Sequence, residues 1–247
     1  MENLKIAWRN LWRNKRRTII TVASIFFGVI LSTLMSSMQE GSYSSMVENV
    51  VKFYSGYLQV QNEEYWDNKT INNTFEPTEV LYKKINNTKG VIHVAPRLES
   101  FALASSLDIT RGAMLFGIDP EKEEYVTEAS KWISKGKYLQ PGDKGLIIAS
   151  GLAEYINIDV NDTLVLLGQG YHGVSAAGKY PVRGIVKLPN PDLNRQVIYM
   201  DLNNAQEFFS AENLITSLVI MVEDPYDLPH ADRILKKEIS SPYKVMT

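Results

Sequence analysis

The sequence predicts an α+β protein. An N-terminal amphipathic helix and a transmembrane helix precede a two-lobed outer domain of mixed sheets and short helices. Three observations carry this reading. Residues 18–38, TIITVASIFFGVILSTLMSSM, hold no charge. Lys15, Arg16 and Arg17 stand directly before that run, and Gln39-Glu40-Gly41-Ser42 follows it. Beyond residue 54, short strand-like runs alternate with capped helix starts, the pattern of an α+β domain.

The chain has 247 residues, of which 45% are hydrophobic, so a real core can form. A net charge of -2 speaks against a general nucleic-acid binder. The charge is unevenly placed. Residues 1–17 hold six of the 26 basic residues and one of the 28 acidic ones, so the remainder is acidic. There is no cysteine, which excludes disulfides, a thiolate nucleophile and a Cys-ligated zinc.

In residues 1–17, Leu4, Ala7, Trp8, Leu11 and Trp12 recur at helical spacing on one face, while Lys5, Arg9, Arg13 and Arg16 lie away from it. A helix with tryptophans on one side and cations on the other suits the lipid headgroup boundary. Trp8, Leu11, Trp12, Lys15, Arg16 and Arg17 are therefore the expected membrane-interface residues, with lipid as their partner. The uncharged run reaches about 31 Å as a helix, close to the hydrocarbon thickness of a bilayer. Residues 18–40 are read as the span. The cations before it place the N-terminus in the cytoplasm and the main domain outside. A buried core helix would not carry such asymmetric flanks. A cleaved signal peptide would have a shorter apolar run, about 7–15 residues, and an A-x-A-like site. Residues 41–53 continue as a helical stalk, with Met46, Val50 and Phe53 on one face.

Residues 54–247 form the outer domain. Strands are expected at 57–61, 91–106 with a break near Pro96, 113–118, 146–149, 163–167, 182–188, 197–200, 217–222 and 243–246. Helices are expected from Pro77 to Asn86, from Pro120 to Ser134 behind an Asp119 cap, and from a Ser150 cap to Ile156. Two more follow, one from a capping-box-like Asn203 and Gln206 to Phe209, the other from Pro229 to Ile239. NEEYWDNKTINN, 62–73, reads as a polar surface loop.

GQGYHGVSAAGKYP, 168–181, invites a nucleotide reading. Gly168, Gly170 and Gly173 fit G-x-G-x-x-G, and Gly173, Gly178 and Lys179 fit most of a phosphate loop. Both motifs need a helix whose N-terminus holds the phosphates. Gly178 and Pro181 interrupt that helix, and Tyr180 stands where Ser or Thr would ligate magnesium. The segment reads instead as a β-hairpin with the flexible tip GQGYHGVSAAG, from which Tyr171, His172 and Val174 project. Gly170, Tyr171, His172, Gly173 and Val174 are the candidate partner-docking residues. The residues alone leave open whether the tip docks a partner or merely turns the chain. His93, His172 and His230 lack metal-ligand spacing, and Glu121, Glu123 and Glu124 read as a solvated helix face. No catalytic, cofactor or metal site is assigned, and no enzyme is expected.

LKIAWRNLWRNKRRTIITVASIFFGV resembles the start of the FtsX/MacB-like ABC transporter permeases, which read A-x-R-N-L-x-R-x-x-x-R-T before their first span. GLIIASGLAEYINIDVNDTLVLL, KYPVRGIVKL and YMDLNNAQEFF resemble later segments of the family, in the same order. Asn161 stands where the family usually has Gly before Asp162. The resemblance is nearest the lipoprotein-releasing permeases. It implies an inner-membrane permease of a bacterium with a two-lobed periplasmic core domain, one lobe ferredoxin-like. It implies a dimer with a second permease copy or paralogue, paired with an ABC ATPase subunit that carries the ATP and magnesium. It also implies three further spans beyond residue 247. ATPase-driven motion would be transmitted mechanically to the outer domain. In the lipoprotein-releasing branch, a hairpin loop of that domain recruits a periplasmic lipoprotein carrier, and 168–181 lies where that loop would fall. Efflux as in MacB-like permeases, or non-transporting control of cell-wall hydrolases as in FtsX-like proteins, are the alternatives.

Overall fold

The computed structural model describes residues 2–50, 55–224 and 227–247. The chain divides into two compact units, Met1–Glu48 and Asn49–Thr247.

In the first unit, α1 (Glu2–Arg13) is followed by α2 (Lys15–Val50). The amides of Arg17 and Thr18 donate to the Asn14 carbonyl, so the second helix starts immediately after the corner. Trp8 and Trp12 are exposed on one side of α1 with rings 6.1 Å apart. Over Lys15–Ser42, α2 is long and apolar enough to cross a bilayer, with mean hydropathy 2.2 and none of that window buried. Three of its hydroxyls are satisfied without water. Thr21, Ser24 and Thr33 each donate to the carbonyl four residues earlier, which satisfies them within the helix. Beyond the apolar window the helix continues as far as Val50. The proposed face of Met46, Val50 and Phe53 lies outside the described side chains.

The second unit contains, in chain order, β1 (Leu58–Asn62), α3 (Glu79–Asn86), β2 (Val91–Ser106), β3 (Ile109–Ile118) and α4 (Pro120–Thr127). Then come β4 (Ile133–Gly136), β5 (Leu146–Ala149), α5 (Ser150–Tyr155), β6 (Thr163–Gln169) and β7 (Ser175–Val186). The unit ends with β8 (Val197–Asp201), α6 (Leu202–Phe209), β9 (Ser217–Val222), α7 (Leu228–Glu238) and β10 (Tyr243–Met246).

These strands make two lobes on one continuous sheet. The first runs β10-β1-β9-β2, all antiparallel, with α3 joining β1 to β2 and α7 joining β9 to β10. That is the ferredoxin-like β-α-β-β-α-β arrangement. Leu58, Val60, Leu81, Ile85, Ile220 and Leu235 fill its core. The second lobe is inserted between β2 and β9. There β2 pairs β3, β3 pairs β8, β8 pairs β5, β5 pairs β7, β7 pairs β6, and β6 returns to β2. The six strands close on themselves. Closure removes sheet edges, and it brings opposite walls close together. Ala102, Ala104, Ala113 and Ala176 accordingly point into the core, beside Leu115, Ile148 and Leu166.

Several boundaries differ from those expected, each for a local reason. The Thr78 hydroxyl caps α3 by accepting the Leu81 amide, so Pro77 lies before the cap rather than in the first turn. Pro96 does not break β2, because it keeps its place opposite Leu218; the register shift falls at Val91/His93. The helix from Pro120 stops at Thr127, where Glu128 turns left-handed, and a 3-10 turn at Ala129–Trp132 leads into β4. Ser150 does not cap α5: Ala149 holds that position, and the Ser150 hydroxyl bonds Asn194 instead. Asp201 caps α6, while the Gln206 side chain donates to the Leu214 carbonyl. In the 62–73 loop, Tyr65 and Ile71 are buried, so it is pinned rather than purely superficial. Asn161 has φ +73, a left-handed conformation that Asn tolerates where the resembling family has Gly.

Glu123 is not on a solvated face. It is fully buried on α4 and forms a bidentate pair with the equally buried Arg97 of β2, with Nε to Oε2 at 2.9 Å. Burial works against the Arg97 charge, but Glu123 outweighs it and holds the guanidinium more firmly protonated than usual. Burial also pushes the neighbouring Glu99 carboxyl up, against the pull of Arg97 at 3.9 Å. Removing one partner leaves the other charge buried and alone. Glu123→Ala should cost about 3–5 kcal/mol, and a double change of Arg97 and Glu123 to Met much less. Thermal unfolding of the intact chain checks both, and equal losses would contradict the account.

Candidate functional site

The segment with the overlapping glycine motifs folds as the β6-β7 hairpin. Its tip is shorter than the sequence suggests. Gln169 already pairs Ser175, so Ser175–Gly178 belong to β7 and only 170–174 turn the chain. No α-helix follows β6; a single 3-10 turn spans Tyr171–Gly173.

The tip is tightly held. The Gly170 amide donates to the Val174 carbonyl at 2.7 Å, and the Gly173 amide to the Gly170 carbonyl at 3.1 Å. The His172 amide donates to Asn72 Oδ1 at 2.8 Å, which fastens the tip to the 62–73 loop. Gly170 is buried, and a Cβ there would lie 2.5 Å from the Phe209 carbonyl oxygen, so only glycine fits without a backbone shift. His172 and Gly173 are left-handed, with φ +53 and +81. The projecting set is therefore smaller than expected. Tyr171 is half-buried and packs on the core of the inserted lobe, with its ring 4.0 Å from that of His172. His172, Gly173 and Val174 remain exposed.

Behind the tip lies a feature that sequence reasoning missed. Phe101 and Leu103 of β2 and Leu167 of β6 point outward and are exposed, with Leu103 directly opposite Leu167. Together with Gly112 they line an open apolar depression of about 360 Å³. The signal was the alternation in FALAS at 101–105. Large and small apolar residues alternate there, and the closed ring takes the small ones inside.

The other candidates separate. Trp8, Trp12, Lys15, Arg16 and Arg17 are exposed on the first unit; the Leu11 side chain lies outside the described residues. His93 stacks on Tyr125 at 4.3 Å, while His172 sits against Tyr171. Among the described residues, no group of three or more His, Asp or Glu could hold a metal ion.

An apolar N-terminal helix, long enough to cross a bilayer, followed by a ferredoxin-like lobe with a closed inserted lobe defines a class: a sheet-rich α+β domain behind a candidate membrane span. Residues 18–238 match the profile of the MacB-like periplasmic core domain, and the chain belongs to that family. It is 24% identical over 225 residues to the lipoprotein-releasing system transmembrane protein LolC of Neisseria meningitidis serogroup B. That match covers 86% of this chain and 51% of the relative, so the chain spans about half the relative's length. Two solved structures share the fold. The extracellular domain of the noncanonic ABC-type transporter YknZ from Gram-positive bacteria has TM-score 0.52 and 17% identity, covering 77% of this chain and 99% of its own. The periplasmic region of MacB from Actinobacillus actinomycetemcomitans has TM-score 0.52 and 12% identity, with coverage of 82% and 94%.

Asn72→Ala should free the tip. It is expected to raise hydrogen exchange at the His172 amide and to cost about 0.5–1.5 kcal/mol of stability. Unchanged protection at 170–174 would show that the Asn72 bond does not hold the tip.

Proposed function

We propose that the chain is the permease subunit, or the N-terminal portion of the permease subunit, of an ABC transporter that releases lipoproteins toward the outer membrane. In this reading its N-terminus is cytoplasmic and its main domain periplasmic. It pairs with an ABC ATPase subunit, which holds the ATP and magnesium, and with a second permease copy or paralogue. ATPase closure moves α2 and thereby the outer domain. The substrate need not cross the inner membrane.

The observation that carries the reading is the held β6-β7 tip, presenting His172 and Val174 beside the partly buried Tyr171. A preorganised tip loses little freedom when it docks. The exposed Phe101, Leu103 and Leu167 supply apolar area on the same sheet. The similarity to LolC, a transmembrane protein of a lipoprotein-releasing system, supports lipoprotein release over efflux. The length of α2 supports mechanical transmission: 36 residues reach about 54 Å, well beyond a bilayer's hydrocarbon core.

A photocrosslinker at Val174 should capture a periplasmic lipoprotein carrier in cells. Tyr171→Ala with His172→Ala should weaken carrier binding by about 2 kcal/mol or more, roughly thirtyfold in Kd. Capture of no carrier, with release unchanged in the double variant, would overturn the docking role.

A further inference from the structure

We propose that the corner between α1 and α2 is a binding site for one anionic phospholipid. The site has two adjoining parts. A groove of about 520 Å³ between the helices is walled by Trp8, Trp12, Ile19, Val22 and Phe26, with Lys15 at its margin. Next to it is a polar hollow formed by Arg13, Asn14, Lys15, Arg16 and Arg17, which shares Trp12 and Lys15 with the groove. An apolar channel that opens into a cluster of cations is matched to an acyl chain bearing a negative headgroup.

Charge balance selects the headgroup. No acid stands between Glu2 and Glu40, so this segment holds no carboxylate that could serve as a counterion for the four cations of the corner. None of the ion pairs formed among the described residues involves Arg13, Lys15, Arg16 or Arg17. A zwitterionic headgroup brings no net charge to them, whereas an anionic one offsets part of theirs at the surface where such cations are attracted. The tryptophans suit the same depth, with ring bodies toward the chains and indole N–H groups toward the headgroups. The inference rests on α2 being a membrane span, but it holds for either orientation of the N-terminus.

The test uses the indoles themselves. The full chain, carrying W66F and W132F so that only Trp8 and Trp12 fluoresce, is placed in equimolar phosphatidylcholine and phosphatidylglycerol vesicles. Bromine is carried on the acyl chains of one lipid or the other. Brominated phosphatidylglycerol should quench more strongly, corresponding to an enrichment of roughly fivefold or more beside the tryptophans. Changing Lys15, Arg16 and Arg17 together to Gln should bring the two lipids to parity without loss of total quenching, and high salt should act in the same direction. Equal quenching by both lipids in the unaltered chain would overturn the proposal. So would preferential quenching by brominated phosphatidylglycerol that persists undiminished in the triple variant, which would show that these cations do not select the lipid. Quenching by neither lipid would overturn it together with the membrane reading.

Discussion

The guanidinium of Arg97 sits where β2 leaves the ferredoxin-like lobe and enters the closed one. Up to that residue β2 pairs with β9, and beyond it with β3 and β6. A strand shared by two lobes could act as a hinge. Here it is clamped by a bidentate bond to Glu123 on α4, which itself packs Val126 against Ala95 and Val219. Thr216 completes the clamp: its amide and hydroxyl both donate to the Arg97 carbonyl, and its hydroxyl accepts the Glu99 amide. Two buried charges cost several kcal/mol each to desolvate, so the pair adds little net stability. What it adds is position, since any other lobe arrangement would leave a charge in the core without its partner. Burial and the Glu123 carboxylate also push the Tyr199 and Tyr138 hydroxyls up, so both stay neutral around it.

The candidate docking tip inherits this rigidity. β6 lies directly on β2, and Gly168 at its end is opposite Ala102. The tip beyond it is closed by backbone bonds, fixed laterally by Asn72 and seated against Phe209. Under the proposed reading, motion imposed on the sheet-rich domain would reach His172 and Val174 as displacement of a stiff element. A stiff tip is what the proposed docking role asks of this hairpin.

Much of this was legible in the sequence. The charge-free run with cations on one flank gave α2, and the tryptophan face gave α1, because both are local patterns with one strong period. Every expected strand is present, and Asn161 marked a left-handed turn. What was not legible depends on distant partners. The Glu121, Glu123 and Glu124 run looked solvated because its counterion, Arg97, is 26 residues from Glu123. The outward Phe101 and Leu103 could not be read without knowing that the sheet closes and turns Ala102 and Ala104 into its core. The tip seemed long and loose because the bond from Asn72 crosses 100 residues.

Capture of the protein from native membranes, with identification of what accompanies it, tests the central claim most directly. An ABC ATPase subunit recovered in stoichiometric amount, with hydrolysis that responds to changes in the outer domain, is the predicted result. A preparation in which no ATPase accompanies the chain under conditions that keep its outer domain folded would contradict the permease reading and leave a membrane-anchored binding domain.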